Sequence, residues 1–202
     1  MRVAICEYGA GNVRSVAVAF RRLGAEVGGD PRTADLTVLP GVGSARSAMD
    51  GLRERGLDRV LRERVAGGRP VLGICLGLQL ALEETDEDGG IEGLGIVPGR
   101  AVRIATGRVP RIGWADVQPL GSAFYFAHSY AAETPVATAF SEGFAAEVRS
   151  GSFVGVQFHP EKSGPAGARY LRACLLFGSE VSNADGRVAQ PRVLRTAPQA
   201  AP

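Results

Sequence analysis

Hydrophobic and polar positions change their period along this chain, and the changes mark its elements. Arg2-Val3-Ala4-Ile5-Cys6 is a short apolar run, followed by the glycine-rich turn Glu7-Tyr8-Gly9-Ala10-Gly11-Asn12. From Asn12 to Arg22, apolar Val13, Val16, Ala17 and Phe20 fall on one helical face, with Asn12 placed as the N-cap and Gly24 as the stop. Ala25–Val27 and Leu36–Leu39 read as the second and third strands. Pro40-Gly41-Val42-Gly43 then breaks the pattern, and Ser44 caps a helix to about Arg53. A further helix spans Leu57–Ala66 and closes at Gly67-Gly68. Pro70 to Gln79 reads as strand, sharp turn and helix, the helix ending near Glu84 with Leu78, Leu80, Ala81 and Leu82 inward. Thr85 to Gly90 is an acidic turn.

Beyond Gly93 the helical period gives way to short β-like segments: Ala101–Ile104, Trp114–Val117, Ala123–Ala127, Val136–Phe140, Ala145–Arg149 and Phe153–Phe158. Some of these are expected to extend a central open α/β sheet. A last helix is predicted over Gly164–Phe177, offering Tyr170, Leu171, Leu175 and Leu176 to the core. From 179 to 202 large apolar residues are few, which reads as a mobile tail after one domain at 1–178.

Composition narrows the classes. With 202 residues, 45% hydrophobic, 22% charged and a net charge of +2, the chain reads as one globular domain with no case for nucleic acid or a membrane surface. No apolar run reaches the ~18 residues a span needs. The three cysteines are odd in number and far apart, which argues against a disulfide framework. The first residues enter a strand without a signal-peptide pattern, so a reducing cytoplasm is expected.

The chemistry centres on Gly73-Ile74-Cys75-Leu76-Gly77. A nucleophile at a strand–turn–helix junction, bracketed by glycines, is the geometry of a nucleophile elbow. The turn exposes the sulfur, and the backbone N–H groups of the helix start favour a thiolate. The plainer reading is an inert buried cysteine, as expected for Cys6 and Cys174. Pro40-Gly41-Val42-Gly43 lies just past a strand's carboxyl end, where open α/β sheets bind ligands. The Val42 N–H is therefore a candidate oxyanion donor, against the alternative of a plain turn.

A cysteine nucleophile needs an imidazole, and the chain has two histidines. His159 follows the apolar run Val156-Gln157-Phe158 and precedes Pro160, so it sits at a strand end. Glu161 is close enough to orient its ring, making Cys75, His159 and Glu161 a chemically complete set. The alternatives are a structural histidine and a surface carboxylate. His128, in Phe126-Ala127-His128-Ser129-Tyr130, lacks a nearby acid; binding or structural roles suit it and Tyr130 better than base catalysis. Zinc-type spacing is absent and no cofactor is called for.

Taken together, Pro40-Gly41-Val42-Gly43, Gly73-Ile74-Cys75-Leu76-Gly77-Leu78-Gln79 and His159-Pro160-Glu161-Lys162-Ser163 resemble, in order and spacing, the class I (triad) glutamine amidotransferases. Tyr8-Gly9-Ala10-Gly11-Asn12 and Gly113-Trp114 narrow the resemblance to the glutaminase subunits of imidazole glycerol phosphate synthase. It covers about Met1 to Phe177. The resemblance implies a doubly wound, mostly parallel α/β sheet with helices on both faces and extra antiparallel strands in the second half. It implies glutamine hydrolysis through a thioester on Cys75, with His159 as base and acid and Glu161 orienting it. The Leu76 and Val42 N–H groups, beside Gly43, would hold the oxyanion. Gln79 and Glu87 match positions that bind the α-end of glutamine; His128 and Tyr130 belong to the same expected substrate region. Asn12, Trp114 and Lys162 match positions facing a (β/α)₈ cyclase, the implied heterodimer partner and recipient of ammonia; an N-cap, a core aromatic and a solvated lysine are the alternatives. The family's usual Pro-His-Met-Gly-Trp-Asn is here Pro110-Arg111-Ile112-Gly113-Trp114-Ala115, which leaves open a related subunit feeding another synthase. A catalytically silent interaction subunit is the reading from a different class.

Overall fold

The computed structural model describes residues 1–183 except Ala10 and Thr106. The first half alternates strand and helix: β1 (Arg2–Ile5), α1 (Val13–Arg22), β2 (Glu26–Val27), β3 (Leu36–Gly41), α2 (Ala45–Glu54), α3 (Leu57–Ala66), β4 (Val71–Cys75) and α4 (Leu76–Ala81). Asn12 and Ser44 cap α1 and α2 as predicted, their side chains accepting from the N–H groups of Ser15 and Ser47. The second half is mainly strand: β5 (Leu82–Thr85), β6 (Ile91–Glu92), β7 (Val97–Arg103), β8 (Arg111–Val117), β9 (Ser122–His128), β10 (Tyr130–Glu133), β11 (Ala137–Ser141), β12 (Phe144–Ser150) and β13 (Phe153–Val156), closed by α5 (Gly164–Asn183).

Among the described residues, a seven-stranded sheet runs in the order β11-β12-β13-β4-β3-β1-β2. Its β13-β4-β3-β1-β2 part is parallel, and β11 and β12 extend it antiparallel. The apolar runs of β3, β4 and β13 are buried on both faces, as parallel strands covered by helices require. One face packs Met49 of α2 and Leu61 of α3 against Leu39. The other packs Phe20 of α1 and Leu171 of α5 against Leu72, Ile74 and Phe158. Helices thus cover both faces of the sheet. β10-β7-β5-β6 form a second sheet and β8-β9 a separate hairpin.

Three local expectations are corrected. The helix after Cys75 ends at Ala81, and Leu82–Thr85 is a strand. The carbonyls of Leu80, Ala81 and Leu82 accept from the N–H groups of Leu94, Ile96 and Gly95, so the acceptors a longer helix would use are taken by the returning chain. Tyr130–Glu133 and Ile91–Glu92, unmarked by any apolar run, are strands through their partners β7 and β5. The last helix runs past Phe177 to Asn183, and Leu176, assigned to the core, is 61% exposed. The rest of the expected tail, 184–202, lies outside the described residues. Among the described residues no helix is long and apolar enough to cross a membrane.

Register brings the site together. Gly41 of β3 pairs with Cys75 of β4, and Val156 of β13 pairs with Ile74. The Val42 loop and the His159 segment therefore leave the sheet on either side of Cys75, at the same edge. Close approach of α4 to the sheet depends on Gly77, where an added Cβ would lie 1.9 Å from the Leu39 carbonyl oxygen. Gly77→Ala is expected to destabilise the fold by about 1–3 kcal/mol, the usual cost of overpacking. Urea unfolding measures this; an unchanged midpoint would contradict the tight contact.

Candidate active site

Cys75 ends β4 with φ 54° and ψ −108° and opens α4. A non-glycine residue in that region carries strain of about 1–3 kcal/mol, held here by ladder pairing of β4 on both sides. The conformation turns strand into helix within one residue and sets the side chain at the junction. Gly41 and Gly73 also touch this junction. A Cβ at Gly41 would lie 2.6 Å from Leu76 Cβ, and one at Gly73 would lie 2.9 Å from the Gly77 oxygen. Cys75 is 6% exposed, with Sγ 3.8 Å from the Ala127 carbonyl of β9.

His159 lies just beyond β13, and its side chain is near enough to Cys75 for the sulfur to raise its pKa. Its backbone is clamped: the N–H donates to the Tyr125 carbonyl at 2.8 Å, and its carbonyl accepts from the Ser163 hydroxyl at 2.7 Å. The other ring nitrogen, Nδ1, is 2.9 Å from Glu161 Oε1, and both side chains are almost wholly buried. Pro160–Lys162 forms a 3₁₀ turn that folds Glu161 back under the ring. A carboxylate there assigns the Nδ1–H tautomer and leaves Nε2 for the thiol. Burial would lower the His159 pKa, but hydrogen bonds and charges of Cys75 and Glu161 outweigh it and raise the value from 6.5 to about 9. Glu161 Oε2 is buried without a hydrogen-bond partner among the described residues, beside a cleft of about 260 Å³ also lined by Arg14 and Arg22 of α1.

His128 behaves oppositely. It is buried, with Nδ1 2.8 Å from the Tyr130 carbonyl and Nε2 3.3 Å from an Arg111 nitrogen. Burial lowers its pKa to about 4, and the neighbouring Arg111 and His159 charges act the same way. It is a neutral ring whose nitrogens are both engaged, by the Tyr130 carbonyl and by Arg111. Arg111 lies over Phe126, 4.1 Å from the ring centroid, and donates to Ser141 and Glu142. The departure from the usual histidine at 111 is thus turned inward.

The remaining expected residues divide. Leu76 and Gln79 are buried beside Cys75 on α4, and Gln79 Nε2 donates to the Tyr130 carbonyl at 2.9 Å. Tyr130 enters the site through this carbonyl. Val42 and Gly43 are exposed on the loop after β3, Gly43 with φ 99°. Glu87 is half-buried on the 3₁₀ turn after β5, where burial and the neighbouring Asp88 raise its pKa. Trp114 is 58% exposed, not a core aromatic, with its ring edge-on to Tyr125 at 6.2 Å. Lys162 is exposed, with Nζ 5.8 Å from the centroid of the same Tyr125 ring. One polar residue escaped the sequence reading: Gln157, buried, with Nε2 3.6 Å from Cys75 Sγ. A fully polar side chain in an otherwise apolar strand end was the available signal. Among the described residues no His, Cys, Asp and Glu cluster could hold a metal ion.

The chain's two histidines make a direct test of these electrostatics. Imidazole NMR is expected to show one titration near pH 9 and one near pH 4, with neither at the ordinary 6.5. His159 has the raised value, so its stabilising contribution is full below about 6.5 and is lost as pH rises through about 9. His128 has the depressed value, so its contribution holds above about 6.5 and is lost as pH falls towards 4. A ring titrating near 6.5 would contradict the assigned contacts.

Comparison with known proteins shows the family. Residues 5–176 match the family Glutamine amidotransferase class-I. Imidazole glycerol phosphate synthase subunit HisH of Carboxydothermus hydrogenoformans is 42% identical over 190 residues, spanning 83% of this chain and 96% of the relative. The subunit of the same name from Symbiobacterium thermophilum is 45% identical over 193 residues, spanning 84% and 91%. A crystal structure of a glutamine amidotransferase shares the fold with a TM-score of 0.72 at 22% identity, over 88% of this chain and 98% of that one. The chain belongs to the class I glutamine amidotransferases, within the group of imidazole glycerol phosphate synthase HisH subunits.

Proposed function

We propose that this chain is the glutaminase subunit of an imidazole glycerol phosphate synthase in cytoplasmic histidine biosynthesis. It releases ammonia from glutamine and passes it to a (β/α)₈ cyclase in a heterodimer, which makes imidazole glycerol phosphate and aminoimidazole carboxamide ribotide. The observation that carries the reading is the buried Cys75–His159–Glu161 set, with the His159–Glu161 contact at 2.9 Å and Cys75 on a strained elbow.

The Cys75 thiol gives its proton to His159 Nε2, and the thiolate attacks the side-chain amide carbon of glutamine. The resulting oxyanion is stabilised by backbone N–H groups, those of Leu76 and, after reorientation of its peptide, Val42. His159 then protonates the leaving nitrogen, ammonia departs and a γ-glutamyl thioester remains. Water, deprotonated by the now neutral His159, attacks the thioester, and glutamate leaves as the proton returns. Glu161 holds the ring through Nδ1 and stabilises its charged form. Gln79 has its NH₂ engaged with the Tyr130 carbonyl, so its Oε1 is the group suited to the substrate's α-ammonium. Glu87 adds negative charge at the rim for the same group.

The outer face of the β8–β9 hairpin suits the partner. Ile112 and Trp114 are 64% and 58% exposed and alternate with inward Arg111 and Gly113, leaving an apolar strip beside Lys162. Aromatic anchors in such a strip typically carry binding. The Tyr125 ring, which Trp114 and Lys162 approach, is 6.5 Å from the His159 ring, so this face and the triad are close neighbours. Asn12 is engaged as the α1 cap, a role compatible with a place at the same edge.

The deciding experiment is glutamate release from glutamine by the chain alone, then with its cyclase partner and that partner's nucleotide ligand. Activity confined to the full mixture is expected. Cys75→Ala is expected to abolish it and retain partner binding, whereas lost binding would make Cys75 structural. Glu161→Gln is expected to lower kcat by about 10²- to 10⁴-fold, as for other triad acids. Trp114→Ala is expected to weaken partner affinity by about 30-fold or more, read by calorimetry. Absent activity in every mixture would overturn this partner assignment.

A further inference from the structure

Gln157 joins two parts of the site that sequence reasoning treats separately. It lies between β13 and His159 and is 0% exposed. Its backbone N–H donates to the Ala146 carbonyl at 3.0 Å. Its side chain lies between Gln79, whose Nε2 is 3.0 Å from Gln157 Oε1, and Cys75, whose Sγ is 3.6 Å from Gln157 Nε2.

Hydrogen-bond logic decides which end of each amide faces which neighbour. The Tyr130 carbonyl is able only to accept, so the Gln79 group 2.9 Å from it is the NH₂. That same NH₂ faces Gln157, which therefore presents its oxygen to Gln79. Its own NH₂ is then turned to the sulfur. Reversing Gln157 would set two NH₂ groups against each other and an amide oxygen against a thiolate. One main-chain carbonyl thus orients a chain of amides that ends with a donor on the nucleophile.

We propose that Gln157 is a catalytic residue of the glutaminase reaction, its amide N–H holding the Cys75 thiolate and, through Gln79, tying the sulfur's position to the glutamine subsite. This rests on the reading of Cys75 as the nucleophile. A neutral donor bonded to an anion makes a charge-assisted hydrogen bond, and a dry site strengthens it. The donor leaves His159 free to move the proton. With its NH₂ engaged twice, Gln79 meets the substrate through Oε1, so substrate binding and thiolate placement act on one amide. A buried glutamine costs stability unless its bonds are met, and an apolar residue would fit the strand between Val156 and Phe158 more simply.

The test uses the full chain in complex with its cyclase and that partner's nucleotide ligand, comparing wild type, Gln157→Met and Gln157→Glu. Wild type must first form a covalent adduct at Cys75 with an electrophilic glutamine analogue; no adduct would overturn the nucleophile reading itself. Given the adduct, Gln157→Met is expected to lower kcat by about 10- to 100-fold with little change in KM. It is also expected to move the pH profile of Cys75 alkylation by iodoacetamide, followed by peptide mass spectrometry, to higher pH. Gln157→Glu sets a carboxylate against the thiolate and is expected to move the profile further. A kcat within twofold of wild type and coincident alkylation profiles would overturn the inference and leave the nucleophile reading intact. A measurement without substitution guards against misfolding of either variant. In wild type the Gln157 side-chain NH₂ resonance is expected to shift as Cys75 loses its proton, and a resonance indifferent to that titration would overturn the inference.

Discussion

The site depends on one close contact, that of α4 against the carboxyl ends of β3 and β4. The chain turns from strand to helix at Cys75 with φ 54°, a conformation an L-residue holds only when its surroundings over-determine it. Two ladders grip β4, and every residue of α4 is buried. Glycine at 41, 73 and 77 is what permits the approach, since a Cβ at any of them would fall within 3 Å of neighbouring atoms. Loss of that approach would move the sulfur relative to His159, which another strand supplies. Stability and chemistry are therefore coupled at this junction.

The two histidines show how far environment sets chemistry. Both rings are buried, and burial depresses both. His159 faces an acid and a thiol, whose contacts reverse the effect; His128 faces a guanidinium, which adds to it. The first is thereby made the ring that takes up a proton from the thiol, and the second is not. Arg111 is the cause of part of this difference, and its stacking on Phe126 explains how a cation is accommodated on the inner side of the hairpin.

Much of this was legible because it is local. The glycine-bracketed cysteine, the strand-end histidine and the acid two residues on are read from a few adjacent positions, and both helix caps follow from single residues. What was not legible depends on distant partners. The helix after Cys75 stops because residues 94–96 occupy its carbonyls, and no periodicity within it announces that. Tyr130 acts through a carbonyl, a group every residue has, so its side-chain type carried no signal. Gln157 meets Gln79 across 78 positions of sequence. Trp114 was ambiguous because an exposed apolar strip on a hairpin has the same composition as a buried one; its burial distinguishes the two.

The β8–β9 hairpin has two sides with different duties. Its inner side places the Ala127 carbonyl against Cys75 Sγ and its outer side presents Trp114. Trp114 and Tyr125 are register partners, and Ala127 lies on the same strand as Tyr125. The Tyr125 carbonyl also accepts the His159 N–H. Under the proposed function, a partner seated on Trp114 therefore presses on a strand that touches both the nucleophile and the backbone of its base. A displacement there need cross only the thickness of one strand to alter the geometry of the triad. Coupling between partner binding and glutamine hydrolysis then requires no long-range pathway, only the rigidity of a two-stranded ribbon whose opposite faces meet the two functions.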